Sequence, residues 1–483
     1  MISALTLLHR WLGVAFCLLF AMWFATGIVM HFVPFPTLAE TERFAGLAPI
    51  DLAGVKRGPA EAAALSDIGD VKRVRLVQRD DGPVYLVSGG SAVEALHGSD
   101  LADGTVRSAS LALAIARDTA RQRNLNGEDV TLAALAAYDQ WTVSERFDPH
   151  RPLYRVALND RLGTELYVSS TTGEVVLVTR LRERAWNYIG SIAHWIYPVA
   201  LRSHPAGWTA LLWWLSLLAL IGASSGAVIG MLRIGFAGSR PVSRYSGWQA
   251  WHHWLGLCCM PFVLSWIFSG FLSMDSGQLF STGKPTPAEQ ASITGAPVWN
   301  ALLSDEIAYV SAPVREVEWF AFGGRIYRRE RASVERQQLF VSGELADAIR
   351  PDRALLRRDE IAAAVGNLAL GCEPPVIIGP NDDYAATSVV PGARVFRVVC
   401  GRDWYQIDGA TGALLEKLDP SRRAYRWFCA GLHTLDFPVL TARPALRAAL
   451  IVILCVFGFA FSLTGVVIAG RRLLIQSGHA RRR

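Results

Sequence analysis

The chain has 483 residues, of which 51% are hydrophobic and only 19% are charged, and its formal net charge is +6. A soluble domain usually carries about a quarter charged residues, so this composition favours a membrane protein. The basic surplus lies in short loops beside apolar runs, where it signals topology, and no nucleic-acid-binding module is present, which argues against a nucleic-acid partner.

Four runs of the sequence hold no charged residue and are long enough to cross a membrane. A helix needs about 20 apolar residues to span the hydrocarbon core, and it satisfies its backbone hydrogen bonds internally. The first run exceeds the apolar part of a secretory signal, which is about 7–15 residues long, so we interpret it as a retained helix. The predicted membrane helices are Trp11–Val33, Ser203–Leu232, Trp254–Met274 and Ala448–Gly470.

Two long segments separate these helices, and both have the patterns of α+β structure. Helical periodicity is found at Ser108–Arg121 in the first segment and at Arg357–Asn367 in the second. The β-like runs around them predict two small helix-plus-sheet units in each segment. The predicted strands are Val71–Gln78, Val84–Ser88, Leu153–Leu158, Glu165–Val168, Glu174–Val178, Val314–Phe322, Gln338–Val341, Val395–Val399, Trp404–Ile407 and Ala413–Leu415.

The chain resembles two copies of one design. The string HRWLG at His9–Gly13 returns as HHWLG at His252–Gly256, and Thr26-Gly27 and Ser269-Gly270 follow at nearly the same spacing. Thr-Gly turns, further histidines and closing Ser/Thr-Gly pairs recur in the same order late in each half. This order predicts an internal duplication with two parallel repeats, as described for some transporters.

Basic residues predict the orientation of the helices. The three short segments that share one side of the membrane hold nine arginines and no acidic residue. Basic residues in short loops stay in the cytoplasm, so both termini are predicted to be cytoplasmic and both long segments periplasmic, in a bacterial-type inner membrane. These arginines are Arg10, Arg233, Arg240, Arg244, Arg471, Arg472, Arg481, Arg482 and Arg483.

The resulting organisation has a membrane α-helical core with four helices and two periplasmic α+β domains. Its parts are membrane helix 1 at 1–33, the first α+β domain at 34–184, an interfacial and membrane helix at 185–232, a cytoplasmic loop at 233–253, membrane helix 3 at 254–274, the second α+β domain at 275–423, an interfacial and membrane helix at 424–470, and a cytoplasmic tail at 471–483.

Histidines at membrane depth are the main functional signal, because ionisable residues there are rare. The duplication matches His9 with His252 near the cytoplasm, and His194 with His433 near the periplasm. Two equivalent histidines that face each other across an axis can fill both axial positions of one haem iron. Interfacial hydrogen bonding is the simpler interpretation of a single histidine, but two matched pairs favour ligation. The weaker candidates, which could hold haem propionates or tune the site, are His31, His204 and His253.

Other motifs narrow the chemistry. No CxxCH attachment motif occurs, so two non-covalent b-type haems are expected. Nucleotide-binding glycine motifs and an HExxH zinc motif are also missing from the sequence, and no catalytic residue is assigned. The glycines of the Ser/Thr-Gly pairs are interpreted equally well as helix contacts or as room for a macrocycle. Cys372 and Cys400 lie in one periplasmic segment, where an oxidising compartment permits a disulfide without requiring one.

The HRWLG and Thr-Gly motifs, the four-helix layout and the turns STTGEVV and ATGALL resemble the PepSY-associated transmembrane family over nearly the whole chain. This resemblance implies PepSY-like periplasmic domains. Some family members are inner-membrane, dihaem ferric-siderophore reductases, so the resemblance also implies electron transfer to a periplasmic ferric chelate. The resemblance implies that the haem ligands in this sequence are His9, His252, His194 and His433. One feature departs from the family pattern: His194 and His204 are widely separated, with Pro198 between them.

Two classes of function follow from these patterns. The first is a haem-containing membrane reductase, whose electron donor is left open between a quinol and a partner protein. The second is a membrane-anchored PepSY protein without enzymatic activity, which binds or regulates a periplasmic partner such as a protease. The matched histidines favour the first class, since an anchor needs none. The absence of charged residues from the apolar runs argues against a third class, a substrate permease.

Overall fold

The structure is a computed structural model that describes residues 2–274, 279–303, 305–343, 353–369, 371–379, 382–385 and 394–480. The chain divides into two compact units. We call Met1–Phe35, Glu183–Phe280 and Arg423–Arg483 the helical unit, and Pro36–Arg182 and Ser281–Arg422 the sheet unit. Three of the arginines that predict the orientation, Arg481, Arg482 and Arg483, lie outside the described residues.

The helical unit contains four helices long and apolar enough to cross a membrane, which confirms the four predicted spans. They are Ile2–Phe32, Pro205–Leu232, Gly247–Ser273 and Pro444–Ala480, and we number them as membrane helices 1 to 4 in this order. Helix 1 begins nine residues before the predicted span, and helix 3 begins before His252, because polar residues continue a helix beyond its apolar stretch. His9 and His252 therefore both lie within helices.

Buried apolar side chains from all four helices form the core of this unit. The members that lose most of their surface include Phe24 of helix 1, Ala219 of helix 2, Cys259 of helix 3 and Cys455 of helix 4. Helices 1 and 4 approach closely beside Gly458, where an added Cβ would lie 2.5 Å from the Phe24 ring. Small residues permit such close approach in membrane bundles.

Short elements connect the membrane helices. Between helices 2 and 3, the strands Ile234–Ala237 and Arg240–Ser243 form a hairpin. Ahead of helices 2 and 4, a short helix runs into one π-helical turn and then into further short helices. These pieces are Leu181–Asn187, Tyr188–Ile192 (π) and Val199–Arg202 in the first case, and Pro420–Tyr425, Arg426–Gly431 (π), Leu432–Thr434 and Pro438–Thr441 in the second.

The remaining elements belong mainly to the sheet unit. In chain order the strands are β1 Arg73–Arg79, β2 Gly82–Gly89, β3 Ala92–His97, β4 Thr131–Ala136, β5 Leu153–Ala157, β6 Glu165–Ser169, β7 Val175–Thr179, the connecting hairpin strands β8 and β9 given above, β10 Glu316–Phe322, β11 Arg325–Arg331, β12 Gln337–Val341, β13 Val376–Ile378, β14 Val395–Cys400, β15 Asp403–Asp408 and β16 Leu414–Leu418. The α-helices are Glu40–Ala45, Pro59–Leu65, Ala109–Gln122, Pro287–Thr294 and Arg358–Gly366, and the 3-10 turns are Leu52–Gly54, Glu145–His150, Trp299–Ala301 and Glu306–Tyr309.

Both long segments contribute to one six-stranded sheet with the order β12-β11-β10-β1-β2-β3. The sequence predicts a separate domain for each segment, but in the structure β1 of the first segment pairs with β10 of the second. Edge strands expose unpaired backbone groups, and pairing them with each other removes two such edges. The two predicted α+β domains are therefore one compact unit.

The β1–β10 ladder is symmetric about a single residue pair. Arg75 lies opposite Glu318, with Val74 opposite Trp319 and Leu76 opposite Val317 on its two sides. The sequence offset that relates His9 to His252 also relates Arg75 to Glu318. Corresponding residues of the two segments thus face each other at the centre of the sheet.

Ionic contacts across this ladder are reciprocal. Arg73 Nε lies 2.8 Å from a Glu318 carboxylate oxygen, and Arg75 Nη2 lies 3.2 Å from a Glu316 oxygen. Glu316 and Glu318 follow Arg73 and Arg75 at the same sequence offset that relates His9 to His252. Both glutamates are almost completely buried, so the arginines neutralise charges that burial would otherwise make unfavourable.

Two further sheets confirm the predicted strands around the Thr-Gly turns. Their orders are β4-β5-β6-β7 and β13-β14-β15-β16, and both ladders are antiparallel. Gly173 and Gly412 occupy the left-handed backbone region at the two turns, with φ of 75° and 67°, a conformation that glycine adopts without a steric penalty. A disulfide joins Cys372 to Cys400 beside the second sheet, so the pairing that the sequence left open is present.

Candidate functional site

The structure brings the four leading histidine candidates together as two pairs. The ring centroids of His9 and His252 lie 6.3 Å apart, and those of His194 and His433 lie 6.4 Å apart. The first pair lies near the beginning of helix 1, which we call the lower end of the helical unit. The second pair lies near the end of helix 1, which we call the upper end.

These separations match the space that one metal ion requires. Two metal–imidazole bonds of about 2 Å, with a ring radius of roughly 1.1 Å on each side, place two ring centroids about 6.2 Å apart. The rings of the lower pair are inclined by 38° and those of the upper pair by 74°. Rotation about the metal–nitrogen bond leaves its length unchanged, so either inclination is compatible with axial ligation.

Hydrogen bonds fix the protonation of the lower pair. His9 Nδ1 lies 3.0 Å from the Gly222 carbonyl oxygen, which only accepts, so this nitrogen carries the proton. His252 Nδ1 lies 2.8 Å from Thr464 Oγ1, and that hydroxyl donates its own proton to the Phe461 carbonyl at 2.6 Å. The hydroxyl therefore accepts from His252 Nδ1, and both rings of the lower pair keep a free lone pair on Nε2.

The upper pair is held in the same tautomer. Thr26 donates to the Met22 carbonyl at 2.7 Å and accepts from His194 Nδ1 at 2.9 Å. Ser269 donates to the Trp266 carbonyl at 3.0 Å and accepts from His433 Nδ1 at 3.0 Å. The Trp266 carbonyl also lies 3.2 Å from His433 Nδ1. An imidazole that donates from Nδ1 to a protein group and leaves Nε2 bare is the usual state of a metal-ligating histidine.

The glycine of each Ser/Thr-Gly pair lies beside a histidine ring. A Cβ added at Gly226 would come within 2.5 Å of His9 Cε1, and one added at Gly270 would lie 3.4 Å from His433 Cε1. The corresponding distances are 3.6 Å from Gly465 to His252 Cε1 and 3.9 Å from Gly27 to His194 Cε1. A Cβ added at Gly27 or at Gly465 would also lie 3.6 Å from Cys455 of helix 4 or from Cys17 of helix 1, respectively, so these two glycines form the predicted helix contacts as well as making room for the imidazoles.

The backbone of the upper pair is unusual in both halves of the chain. A π-helical turn precedes each histidine, and such turns occur often at functional sites. Two residues after each histidine the backbone is left-handed, with φ of 47° at Ile196 and 52° at Leu435. This conformation is unfavourable for a β-branched residue such as isoleucine, and local strain of this kind concentrates at functional sites.

A cavity of about 890 Å³ surrounds the lower pair. Buried apolar side chains such as Phe16 and Val263 line it, and so do the exposed Arg10 and Arg471 and the half-buried Arg472, near the lower ends of helices 1 and 4. The volume lies within the range of about 300–1,000 Å³ that is typical of cofactor pockets. The residues present fit a flat apolar macrocycle, whose metal His9 and His252 would hold.

The weaker histidine candidates have different surroundings. Both ring nitrogens of His253 contact the protein, Nδ1 with Ser243 Oγ and Nε2 with the Gly230 carbonyl, each at 2.8 Å. His204 is exposed, and its Nδ1 lies near Ser203 and the Ala200 carbonyl. His31 packs edge-on against Phe32. Of the three, only His253 is among the described residues that line the cavity of the lower pair.

Two tryptophans support the upper pair and escaped the sequence analysis. Trp23 Nε1 donates to the His194 carbonyl at 3.0 Å, and the Trp266 carbonyl receives the bond from His433 described above. Each tryptophan stands three residues before the Thr or Ser that holds a ring. The repeated W-x-x-[ST]-G spacing marks both positions in the sequence, although only Trp23 uses its side chain and Trp266 supplies a main-chain carbonyl.

Comparisons with known proteins place the chain in a family. Among the described residues there is no group of three or more His, Cys, Asp or Glu side chains arranged to hold a metal ion. A search of curated proteins finds no match to this chain. The family model of the PepSY-associated TM region matches residues 6–472, nearly the whole chain, and the protein therefore belongs to this family.

Proposed function

We propose that this protein is a dihaem membrane reductase that passes electrons across the inner membrane to a periplasmic ferric chelate, such as a ferric siderophore. The observation that carries the proposal is the common state of four histidines. In two facing pairs, every ring donates from Nδ1 and keeps Nε2 free at a spacing that suits one metal ion.

The positions of the pairs support transfer across a membrane. His9 and Thr26, which mark the lower and upper pairs on helix 1, are separated by about 26 Å along the axis at a rise of ~1.5 Å per residue. This distance is close to the thickness of the hydrocarbon core, about 30 Å. Two redox groups at these levels would divide the crossing into shorter steps.

In this proposal the chain supplies ligands, orientation and a dry environment. His9 and His252 would hold the lower b-type haem, and His194 and His433 the upper one. A bound haem supplies a one-electron couple between ferric and ferrous iron. Thr26, Ser269, Thr464 and the Gly222 carbonyl would fix the imidazole planes and increase ligand basicity.

We further propose that the lower end faces the cytoplasm and the upper end the periplasm. Support comes from the arginines near the lower end and from the disulfide of the sheet unit, which suits an oxidising compartment.

The matched histidines and the symmetric β1–β10 ladder support an origin by internal duplication. The donor is a quinol or a partner protein, and one electron converts one ferric chelate to its ferrous form.

The deciding experiment is a visible absorption spectrum of the purified full-length protein from haem-replete cells, with the haem content measured in the same sample. We expect low-spin b-type spectra and two haems per chain. Replacement His252→Ala should remove the lower haem, and His433→Ala the upper one. The matched control is His204→Ala, an exposed histidine, which should retain both.

A reductase must also transfer its electrons. The chemically reduced protein should be reoxidised by a ferric chelate, and both single-haem variants should react more slowly under the same conditions. A protein that contains no haem although it folds and inserts would overturn the proposal and favour the membrane-anchored binding role.

A further inference from the structure

The lower cavity carries positive charge without a compensating acid. Arg10 from helix 1 and Arg471 and Arg472 from helix 4 line the same cavity as His9 and His252. No aspartate or glutamate is among its described lining residues. In the described part of the chain, none of these three arginines takes part in an ion pair.

Arg472 is the most constrained of the three. Its Nε is buried and has no hydrogen-bond partner among the described residues. Its guanidinium lies 5.9 Å from the centroid of the Trp11 ring, a cation–π distance that limits its movement. Burial of Nε and this ring contact hold the guanidinium in place, and its Nη nitrogens have no hydrogen-bond acceptor in the described part of the chain, so an anionic group in the cavity would supply one.

Membrane topology alone does not explain this placement. Arg240 and Arg244 lie in the loop between helices 2 and 3, where they are exposed and outside the cavity lining. They would satisfy the preference for basic residues on one side of a membrane equally well. The cavity arginines differ because they share a cavity with buried apolar side chains such as Phe16 and Val263.

We propose that Arg10, Arg471 and Arg472 bind the two propionate carboxylates of the lower haem, with Arg472 as the principal contact. The inference rests on the proposed function and adds an orientation to it. The macrocycle lies among the apolar side chains of the cavity, and its carboxylates point to the lower end. Guanidinium groups pair with carboxylates through two parallel hydrogen bonds, which fixes geometry as well as charge.

The test compares haem with its dimethyl ester, which lacks the two charges. Full-length His433→Ala protein, which should keep only the lower site, is loaded with either compound. Excess apomyoglobin is then added, and absorbance follows the transfer of the bound haem or ester to it. Arg472→Gln should accelerate the loss of haem at least about tenfold, the value of one charge-assisted hydrogen bond, and leave the loss of the ester nearly unchanged. Arg472→Lys should restore part of the retention.

Arg240→Gln is the matched control, since it removes one arginine from the loop between helices 2 and 3 without touching the cavity. The assignment is refuted if a variant loses haem and ester with equal acceleration. It is also refuted if the variant with Arg10, Arg471 and Arg472 all replaced by Gln loses haem no faster than this control. If the variants fail to insert, the protein that keeps all three arginines still provides a test, because it should retain haem longer than the ester. Haem bound with no such preference defeats only this inference, whereas a chain without haem defeats the proposed function.

Discussion

Gly226 is the residue whose replacement should most directly test the lower site. A methyl group there would lie 2.5 Å from His9 Cε1 and 2.9 Å from its Nδ1, so Gly226→Ala must displace the ring from the Gly222 carbonyl. We expect the lower haem to be lost and the upper haem to remain, as measured by haem content. Gly465→Ala, with 3.6 Å to His252, should keep most of the haem.

The control for steric effects is Gly470→Ala, because nothing lies within 4 Å of a Cβ at that position on helix 4. It should bind two haems. A Gly226→Ala protein that also binds two haems would show that His9 is not a ligand in the observed position.

Thr464 should tune the potential of the lower haem through His252. Its hydroxyl accepts a hydrogen bond from His252 Nδ1–H, which makes the imidazole ligand more basic and stabilises ferric iron. Thr464→Val removes this acceptor, so the midpoint potential should rise by tens of millivolts, on the order of the ~1 kcal/mol of one hydrogen bond. Redox titration of the bound haems measures the change.

Ser225 provides the comparison, since it occupies the corresponding position of helix 2 but bonds to the Gly222 carbonyl instead of to a ring. Ser225→Ala should shift the potential less than Thr464→Val does. Equal shifts would contradict a specific effect through the His252 tautomer.

At the scale of single elements, breaking a buried ion pair between β1 and β10 should destabilise the sheet unit. Burial alone raises the pKa of Glu316, but the guanidinium groups of Arg43, Arg75 and Arg331 outweigh it and hold that pKa well below its ordinary value. Glu316→Gln removes one charge and leaves buried arginines uncompensated, which costs about 3–5 kcal/mol in comparable cases. Hydrogen exchange of β1 and β10 in the full chain should show weaker protection.

The same contact predicts a dependence on pH. Because the folded pKa of Glu316 is depressed, its stabilisation is complete above the ordinary value of 4.5 and is lost as the pH falls through the folded value. The difference between Glu316→Gln and the unsubstituted protein should therefore shrink at low pH. Glu61→Gln is the control, since Glu61 and Arg57 form an exposed pair that contributes about 0–1 kcal/mol. A pH-independent difference would argue against this charge effect.

The sequence predicted elements best where a local pattern determines them. The four apolar runs and the strands around the two Thr-Gly turns were recognisable without tertiary information. Strand β11 was missed because its sequence RIYRRER has the composition of an exposed segment, yet Arg328 and Arg331 are fully buried beside Glu306 and Glu316. Such partners are distant in sequence, so neither the strand nor its pairing into a shared sheet could be predicted from local patterns.

At the scale of the whole molecule, the candidate site was predictable in its members but not in its supports. The predicted duplication pairs His9 with His252 and His194 with His433, and the structure brings each of these pairs together. The acceptors for Nδ1 come from other helices, as with Thr26 for His194. Only the packed structure shows which nitrogen each ring leaves free.

The proposed orientation of the whole chain makes a separate prediction. A reporter active only in the cytoplasm should be active when fused at residue 240, in the loop between helices 2 and 3, and inactive when fused at residue 300. A periplasmic reporter should give the opposite result. Cytoplasmic activity at residue 300 would reverse the assignment of the sheet unit to the periplasm, and with it the direction of electron transfer.

The Arg75–Glu318 pair at the centre of the six-stranded sheet has a consequence for how the two halves associate. In a homodimer of either half, the residue on the twofold axis would face its own copy, arginine against arginine or glutamate against glutamate, and like charges directly opposite repel. The reciprocal contacts from Arg73 and Arg75 to Glu318 and Glu316 would be lost as well. Each half therefore pairs less favourably with a copy of itself than with the other half. On the proposed duplication, the chain is a heterodimer made permanent by fusion, and its halves can no longer return to self-association.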